Sequence, residues 1–150
     1  MTQLKIGDLA PEINSIDQNG DNITLKQFKG KKIVLYFYPK DMTPGCTAQS
    51  CNLSENYVTL KNKGYEILGV SCDSIKRHTK FIEKYNLPFS LISDEDQKVV
   101  KDYGVWGLKK FMGREYMGIN RTTFIINTDG KIEDIITKVD TKNHTAQILV

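Results

Sequence analysis

Two cysteines, Cys46 and Cys51, stand five positions apart in YPKDMTPGCTAQSC, residues 38 to 51, directly behind a Thr-Pro-Gly. Thiols in such a setting can join as a disulfide, hold a metal ion or act as a nucleophile. With Thr43 as N-cap, Pro44 takes the first helical position, where its missing N–H is no loss. Cys46 then falls in the first turn. There the unpaired backbone N–H groups and the positive end of the helix dipole favour a thiolate. Gly45 lets a ligand come close to the backbone. Cys51 lies about a turn and a half further along, with the two Cα atoms roughly 8 to 9 Å apart and about 140° out of phase. That exceeds the roughly 7 Å over which two cysteines can be bridged without backbone movement. A resting disulfide between them is disfavoured. One made and broken through local unwinding stays open.

The rest of the chain bears on the choice. At 150 residues it is long enough to bury one sizeable core, and its 39% hydrophobic and 26% charged residues are ordinary for a soluble globular domain. The net charge is only +3, and the densest basic run, KGKK at 29 to 32, carries no interleaved aromatics. A solvated turn accounts for it better than a nucleic-acid site does. No stretch approaches the roughly 20 apolar residues of a membrane span, and MTQLKIGDLAPEINS does not read as a signal peptide. The expectation is a cytoplasmic protein, where reducing conditions disfavour a stable structural disulfide. Three cysteines also suit a disulfide framework poorly.

The elements that must position the cysteines follow from patterning. Asn19-Gly20 and Asp129-Gly130 each sit between β-favouring segments and predict two hairpins, one of them N-terminal. KIVLYFY (32 to 38) and YEILGVSCD (65 to 73) read as strands buried on both faces. One helix is predicted from Pro44 to a stop at Gly64, and an amphipathic one over 74 to 86, carrying Ile75, Phe81, Ile82 and Tyr85. FSLISD, DEDQKVVKDYG, RTTFIIN and KIEDIIT add a strand, a short helix and two further strands. This β-α-β-α-β-α-β-β order predicts an α/β fold, a single domain with a central mixed sheet flanked by helices and an antiparallel edge. It is compatible with a thioredoxin-like sheet without singling one out.

Pro39, Thr43 and Cys46 match the P-x-x-x-T-x-x-C pattern of peroxiredoxins, and TPGCTAQSC resembles the bacterioferritin comigratory protein, or peroxiredoxin Q, branch. GVSCDS, YGVWG, FMG-x-x-Y-x-G and TKNH extend the likeness nearly end to end. The resemblance implies a thioredoxin-like fold and a thiol peroxidase acting on hydrogen peroxide and organic hydroperoxides. It implies Cys46 as the peroxidatic nucleophile and Cys51 as the resolving cysteine of an intramolecular disulfide, with thioredoxin or a similar dithiol as reductant. Arg121, in GINRTTFIIN, stands where that family keeps its active-site arginine. Thr43 and Pro39 complete the pocket. No metal, haem or flavin is implied, and the chain is expected to be a monomer or weak homodimer.

The chemistry explains these residue types. A thiolate attacks one peroxide oxygen while the other leaves with growing negative charge, so a permanent cation and fixed N–H donors are wanted nearby. The resulting sulfenic acid condenses with a second thiol. Other residues carry blander expectations. Gln49 sits at a polar position near the family's site or is an exposed helical glutamine. Cys72 is a small buried filler. Trp106, Tyr103, Phe111 and Tyr116 build a loop cluster. His78 and His144 are surface or packing residues, without metal-like spacing to the cysteines. Ser54-Glu55 departs from the family's usual basic-acidic pair, which leaves support for Arg121 open, and the last helix is expected to be short. Two other classes remain: a zinc module using both cysteines and a histidine, and a redox sensor whose helix start unwinds on oxidation.

Overall fold

The computed structural model describes residues 2–149. Asn14–Ile16 (β1) and Asn22–Thr24 (β2) pair antiparallel, Asn14 opposite Thr24, as the N-terminal hairpin predicted around Asn19-Gly20. Gly20 has φ +77°, the left-handed conformation that such a turn requires.

Five strands form the central sheet: Lys32–Phe37 (β3), Tyr65–Ser71 (β4), Ser90–Ser93 (β5), Thr122–Ile126 (β8) and Ile132–Ile136 (β9). Their order is β5-β4-β3-β8-β9, with parallel pairing from β5 to β3 and antiparallel pairing from β3 to β9. The mixed sheet and the Asp129-Gly130 hairpin are as expected. Strand β3 lies at its centre, and its alternate residues feed two cores. Leu35 and Phe37 face a cluster with Ile13, Ile23, Val99, Val100 and Phe124. Val34, Tyr36 and Tyr38 face another with Cys46, Leu53, Leu60, Phe81 and Ile148. Each fully buried side chain of this size contributes about 1.5–3 kcal/mol.

Helices cover both faces. Pro44–Glu55 (α1), Tyr57–Asn62 (α2), Ile75–Tyr85 (α3) and His144–Ile148 (α5) lie on the Tyr36 face, and Lys98–Asp102 (α4) on the other. The single helix predicted from Pro44 to Gly64 is instead two. Asn56, at φ −104° and ψ 11°, divides it, and its side-chain amide donates to the Asn52 carbonyl at 2.8 Å. The Asn56 backbone N–H reaches the same carbonyl at 3.3 Å, so the two helices meet at a local change of backbone angle without losing that bond. Helix α3 matches its prediction: Ser74 caps it by accepting from the Arg77 N–H, and Asn86 ends it in the left-handed conformation.

One hairpin was not anticipated. Trp106–Phe111 (β6) and Arg114–Ile119 (β7) pair antiparallel around Met112-Gly113, both at positive φ. The expected aromatic loop cluster is therefore corrected. Tyr103 is wholly buried in the core beside Phe37 and Phe124, whereas Phe111 and Tyr116 are exposed on this hairpin. Among the described residues, no helix is long and apolar enough to cross a membrane.

His144 is fully buried. Its Nε2 lies 2.8 Å from Thr123 Oγ1 and its Nδ1 2.8 Å from Gln147 Oε1. The amide oxygen can only accept, so the proton sits on Nδ1 and Thr123 donates to Nε2. Burial, with Arg121 adding to it, holds His144 below the ordinary histidine value of 6.5. The unfolded chain therefore takes up the proton more readily than the folded one. The His144 contribution to stability is complete above pH 6.5 and is lost as pH falls below it. The fall in melting temperature from pH 7.5 to 5.5 should be smaller in His144→Gln than in the parent protein. Equal falls would remove histidine from the account.

Candidate active site

The site forms where β3 runs out. After Tyr38, Pro39 and the loop to Thr43 carry the chain from the sheet into α1, and a buried polar network holds that loop. Tyr38 Oη donates to Asp41 Oδ1 at 2.6 Å, and the Asp41 backbone N–H donates to Asp73 Oδ2 at 2.8 Å. From α3, His78 Nδ1 lies 2.6 Å from Asp41 Oδ2, and Arg77 bridges Asp73 Oδ1 and the Asp41 carbonyl. His78 Nε2 faces the Ile92 carbonyl at 3.0 Å, so it carries a proton, and the Asp41 contact requires another between the pair. These anchors hold Met42 in the left-handed conformation, φ +69°, which turns the chain toward Thr43.

Thr43 occupies the N-cap position and Pro44 the first helical one, but the Thr43 side chain caps nothing. Its hydroxyl donates to the Lys40 carbonyl at 2.8 Å. Cys46 follows in the first turn, wholly buried, with its free thiol among the apolar residues of the Tyr36 face. Tyr36 fixes the helix from below through a 2.9 Å hydrogen bond with Ser50. Gly69, its partner across β4, makes room for this: a Cβ there would stand 2.8 Å from Tyr36 Cζ and 2.6 Å from Leu91 Cδ2.

Arg121 arrives just ahead of β8. Its Nη2 donates to Cys46 Sγ at 3.2 Å and its Nη1 to Gln49 Oε1 at 2.6 Å. Gly45 admits the guanidinium, since a Cβ at that position would lie 3.3 Å from Nη2. Gln49 is wholly buried, not an exposed helical residue, and its Nε2 has no hydrogen-bond partner. Support for Arg121 comes from this glutamine, one helical turn after Cys46. Lys109 on β6 is half-buried and donates to the Ile119 carbonyl at 2.9 Å. Burial and the neighbouring Arg121 pull its ammonium below the ordinary lysine range. It belongs to the hairpin that sequence patterning did not reveal.

Cys46, Arg121 and Gln49 thus converge, with Pro39 half-buried and Thr43 on the loop that leads into the same helix turn. Cys51 is half-buried further along α1, and burial followed by the Glu55 carboxylate raises its thiol above the ordinary value. Cys72 packs against the opposite core. Burial, then Asp94 and Asp73, push its thiol up to about 12, and it is half-buried where a buried filler was expected. The acidic and imidazole groups close enough together to hold an ion are, among the described residues, Asp41, Asp73 and His78. They include neither Cys46 nor Cys51 and already partner one another. His78 itself is buried on the inner side of α3, a role its polar sequence surroundings did not disclose.

A buried thiol at a helix start, met by an arginine just ahead of a central strand, makes a candidate thiol-redox site on a helix-flanked mixed sheet of the thioredoxin-like class. The AhpC/TSA family model matches residues 6–135, and the chain belongs to that family. It is 46% identical over 149 residues to peroxiredoxin Bcp of Escherichia coli strain K12, covering 99% of this chain and 96% of that one. It is 44% identical over 146 residues to peroxiredoxin Bcp of Bacillus subtilis strain 168, covering 97% and 93%. Among solved structures, the bacterioferritin comigratory protein of Xanthomonas campestris, determined as trapped-intermediate and ligand complexes bearing on alkyl peroxide reduction, superposes with a TM-score of 0.90. It is 32% identical, with 99% of this chain and 95% of that one covered. The chain has the fold and the peroxidase function of a peroxiredoxin.

Proposed function

We propose that Cys46 is the peroxidatic nucleophile and Cys51 its resolving partner, within a single domain that reduces hydrogen peroxide and organic hydroperoxides at the expense of a thioredoxin-type dithiol. The 3.2 Å approach of the Arg121 guanidinium to Cys46 Sγ carries this reading. A permanent cation at that distance is placed to meet the charge of an attacking sulfur and to hold a peroxide oxygen beside it. The Thr43 proton is committed to Lys40, which leaves the hydroxyl lone pairs to accept the O–H of an incoming peroxide. Pro39, half-buried where β3 runs out, is assigned the role of shielding the sulfur from water.

In the first step Cys46 sulfur bonds to one peroxide oxygen, the O–O bond breaks, and the other oxygen leaves as water or alcohol after taking a proton. Arg121 meets the charge that develops on both oxygens. Cys51 then attacks the sulfenic sulfur, releasing water and forming the Cys46–Cys51 disulfide. Two thiols of the reductant restore the starting state. Both cysteines belong to one chain, so a monomer or a weak homodimer can complete the cycle. No metal, haem or flavin enters any step.

Counting free thiols tests the scheme. Reduced protein should fall from three thiols to one within seconds of one equivalent of hydrogen peroxide, with Cys72 the survivor. Cys51→Ser should instead hold a long-lived sulfenic acid that a dimedone probe captures. Three thiols persisting for minutes would overturn the assignment.

A further inference from the structure

Thr43 can accept a hydrogen bond from a peroxide only while its own proton points elsewhere, and that direction is set from another element of the fold. The hydroxyl donates to the Lys40 carbonyl at 2.8 Å, which commits its proton and leaves its lone pairs free. The Lys40 carbonyl shares one planar peptide with the Asp41 N–H, the two pointing in opposite directions. Whatever holds that N–H therefore aims the carbonyl. The holder is Asp73, in the turn between β4 and α3, whose Oδ2 accepts the Asp41 N–H at 2.8 Å.

The Asp73 carboxylate is buried and held at both oxygens. Ser71 Oγ donates to the same Oδ2 at 2.6 Å, and Arg77 Nε donates to Oδ1 at 3.0 Å. Arg77 Nη2 also donates to the Asp41 carbonyl at 3.2 Å, so the peptides on both sides of Asp41 are fixed. The Asp41 side chain has its own partners, Tyr38 and His78. Those two tie the loop to β3 and α3 without Asp73. What Asp73 adds is the orientation of the peptide between residues 40 and 41.

We propose that Asp73 is a positioning residue for peroxide reduction: through the Lys40–Asp41 peptide it makes the Thr43 hydroxyl an acceptor for the peroxide O–H. The inference rests on the acceptor role given to Thr43 above. The Asp73 side chain bonds to Ser71, Arg77 and the Asp41 N–H, and it acts on the peroxide only through that relay. Without it the peptide is free to turn and the Lys40 carbonyl leaves the hydroxyl. The Thr43 proton then faces the peroxide proton, donor against donor, and the O–H goes unmet. Cys46, Gln49 and Arg121 belong to α1 and the approach to β8, and their mutual contacts do not pass through this peptide. The loss therefore falls on the reaction with peroxide and not on the thiol itself.

A double-mutant cycle on the full chain tests the route. Rapid mixing with hydrogen peroxide reads the rate of Cys46 oxidation in wild type, Asp73→Ala, Thr43→Val and the two combined. Each single variant should be about tenfold slower, as for one lost hydrogen bond. The combination should stay within about twofold of Thr43→Val alone, because both changes remove the same acceptor. Asp73→Asn, which keeps an oxygen for the Asp41 N–H, should recover most of the loss. Arg77→Gln, at a partly exposed position of α3, should cost about threefold and lose that effect in Thr43→Val, which keeps the cycle readable if Asp73→Ala does not fold. Alkylation of Cys46 by iodoacetamide reads the thiolate without offering Thr43 an O–H, and it should stay within about twofold in every variant. Effects of Asp73 and Thr43 that multiply in full would overturn the inference and leave the role of Thr43 standing. Alkylation slowed as far as peroxide oxidation would also overturn it, since the sulfur itself would then be disturbed. Thr43→Val reacting at the wild-type rate would instead overturn the acceptor role of Thr43, and the inference with it.

Discussion

Cys46→Ser is expected to reduce peroxide no faster than protein-free buffer. A serine hydroxyl is not ionised near neutral pH and cannot expel an alkoxide from a peroxide, so the first bond never forms. The substitution is close to isosteric, which isolates chemistry from folding. Cys46 is wholly buried, and Arg121 Nη2 would meet an oxygen in place of sulfur. The remaining thiols offer no substitute, because burial and carboxylates raise both Cys51 and Cys72. Peroxide consumption with a dithiol reductant, paired with a thermal melt, checks the prediction. A folded variant as active as wild type would end the case for Cys46.

Arg121→Ala should lower kcat/KM for hydrogen peroxide by about 10²–10³-fold, the range found when a fixed donor to developing charge is removed. Arg121 uses two different nitrogens at once, Nη1 for Gln49 and Nη2 for Cys46. The planar fork is thereby aligned before substrate arrives. Arg121→Lys keeps the charge but loses the fork, so it should recover only a small part of the rate. Stopped-flow measurement of the first oxidation gives the number directly. A rate within threefold of wild type in Arg121→Ala would reduce the guanidinium to a packing role.

Much of this site could be read from local patterns. Pro44 after a capping-type residue located the start of α1, the unbroken run at 32 to 38 located the central strand, and two Asx-Gly pairs located two hairpins. What escaped lacked local signals. The β6–β7 hairpin turns on Met112-Gly113, and methionine is not a residue that favours positive φ. Its apolar residues, Leu108, Phe111 and Met117, are also exposed, so no buried alternation marked the strands. Asn56 marks the break between α1 and α2, and its side-chain bond to the Asn52 carbonyl is one that any asparagine on a polar face can make or forgo. The Asp41–His78 pair joins positions with no periodic relation, and only the close approach of α3 to the loop after β3 brings them together. Gln49 was legible as a polar position near the site, but its burial and its grip on Arg121 follow from where β8 lies.

That placement of β8 has a bearing on how the protein comes into being. Strand β3 pairs Ile33 with Ile126 and Phe37 with Thr122, partners separated by most of the chain, and Arg121 immediately precedes that partner strand. Contacts so distant in sequence form late, and a ribosome delivers the N-terminal half first. The sulfur at Cys46 is thus synthesised well before its guanidinium and before the sheet that buries it. Throughout elongation it stands in an unfinished chain without the arginine to which the proposed mechanism assigns the peroxide. On that mechanism the wiring of the sheet delays reactivity until nearly all of the polypeptide that must contain it has been made.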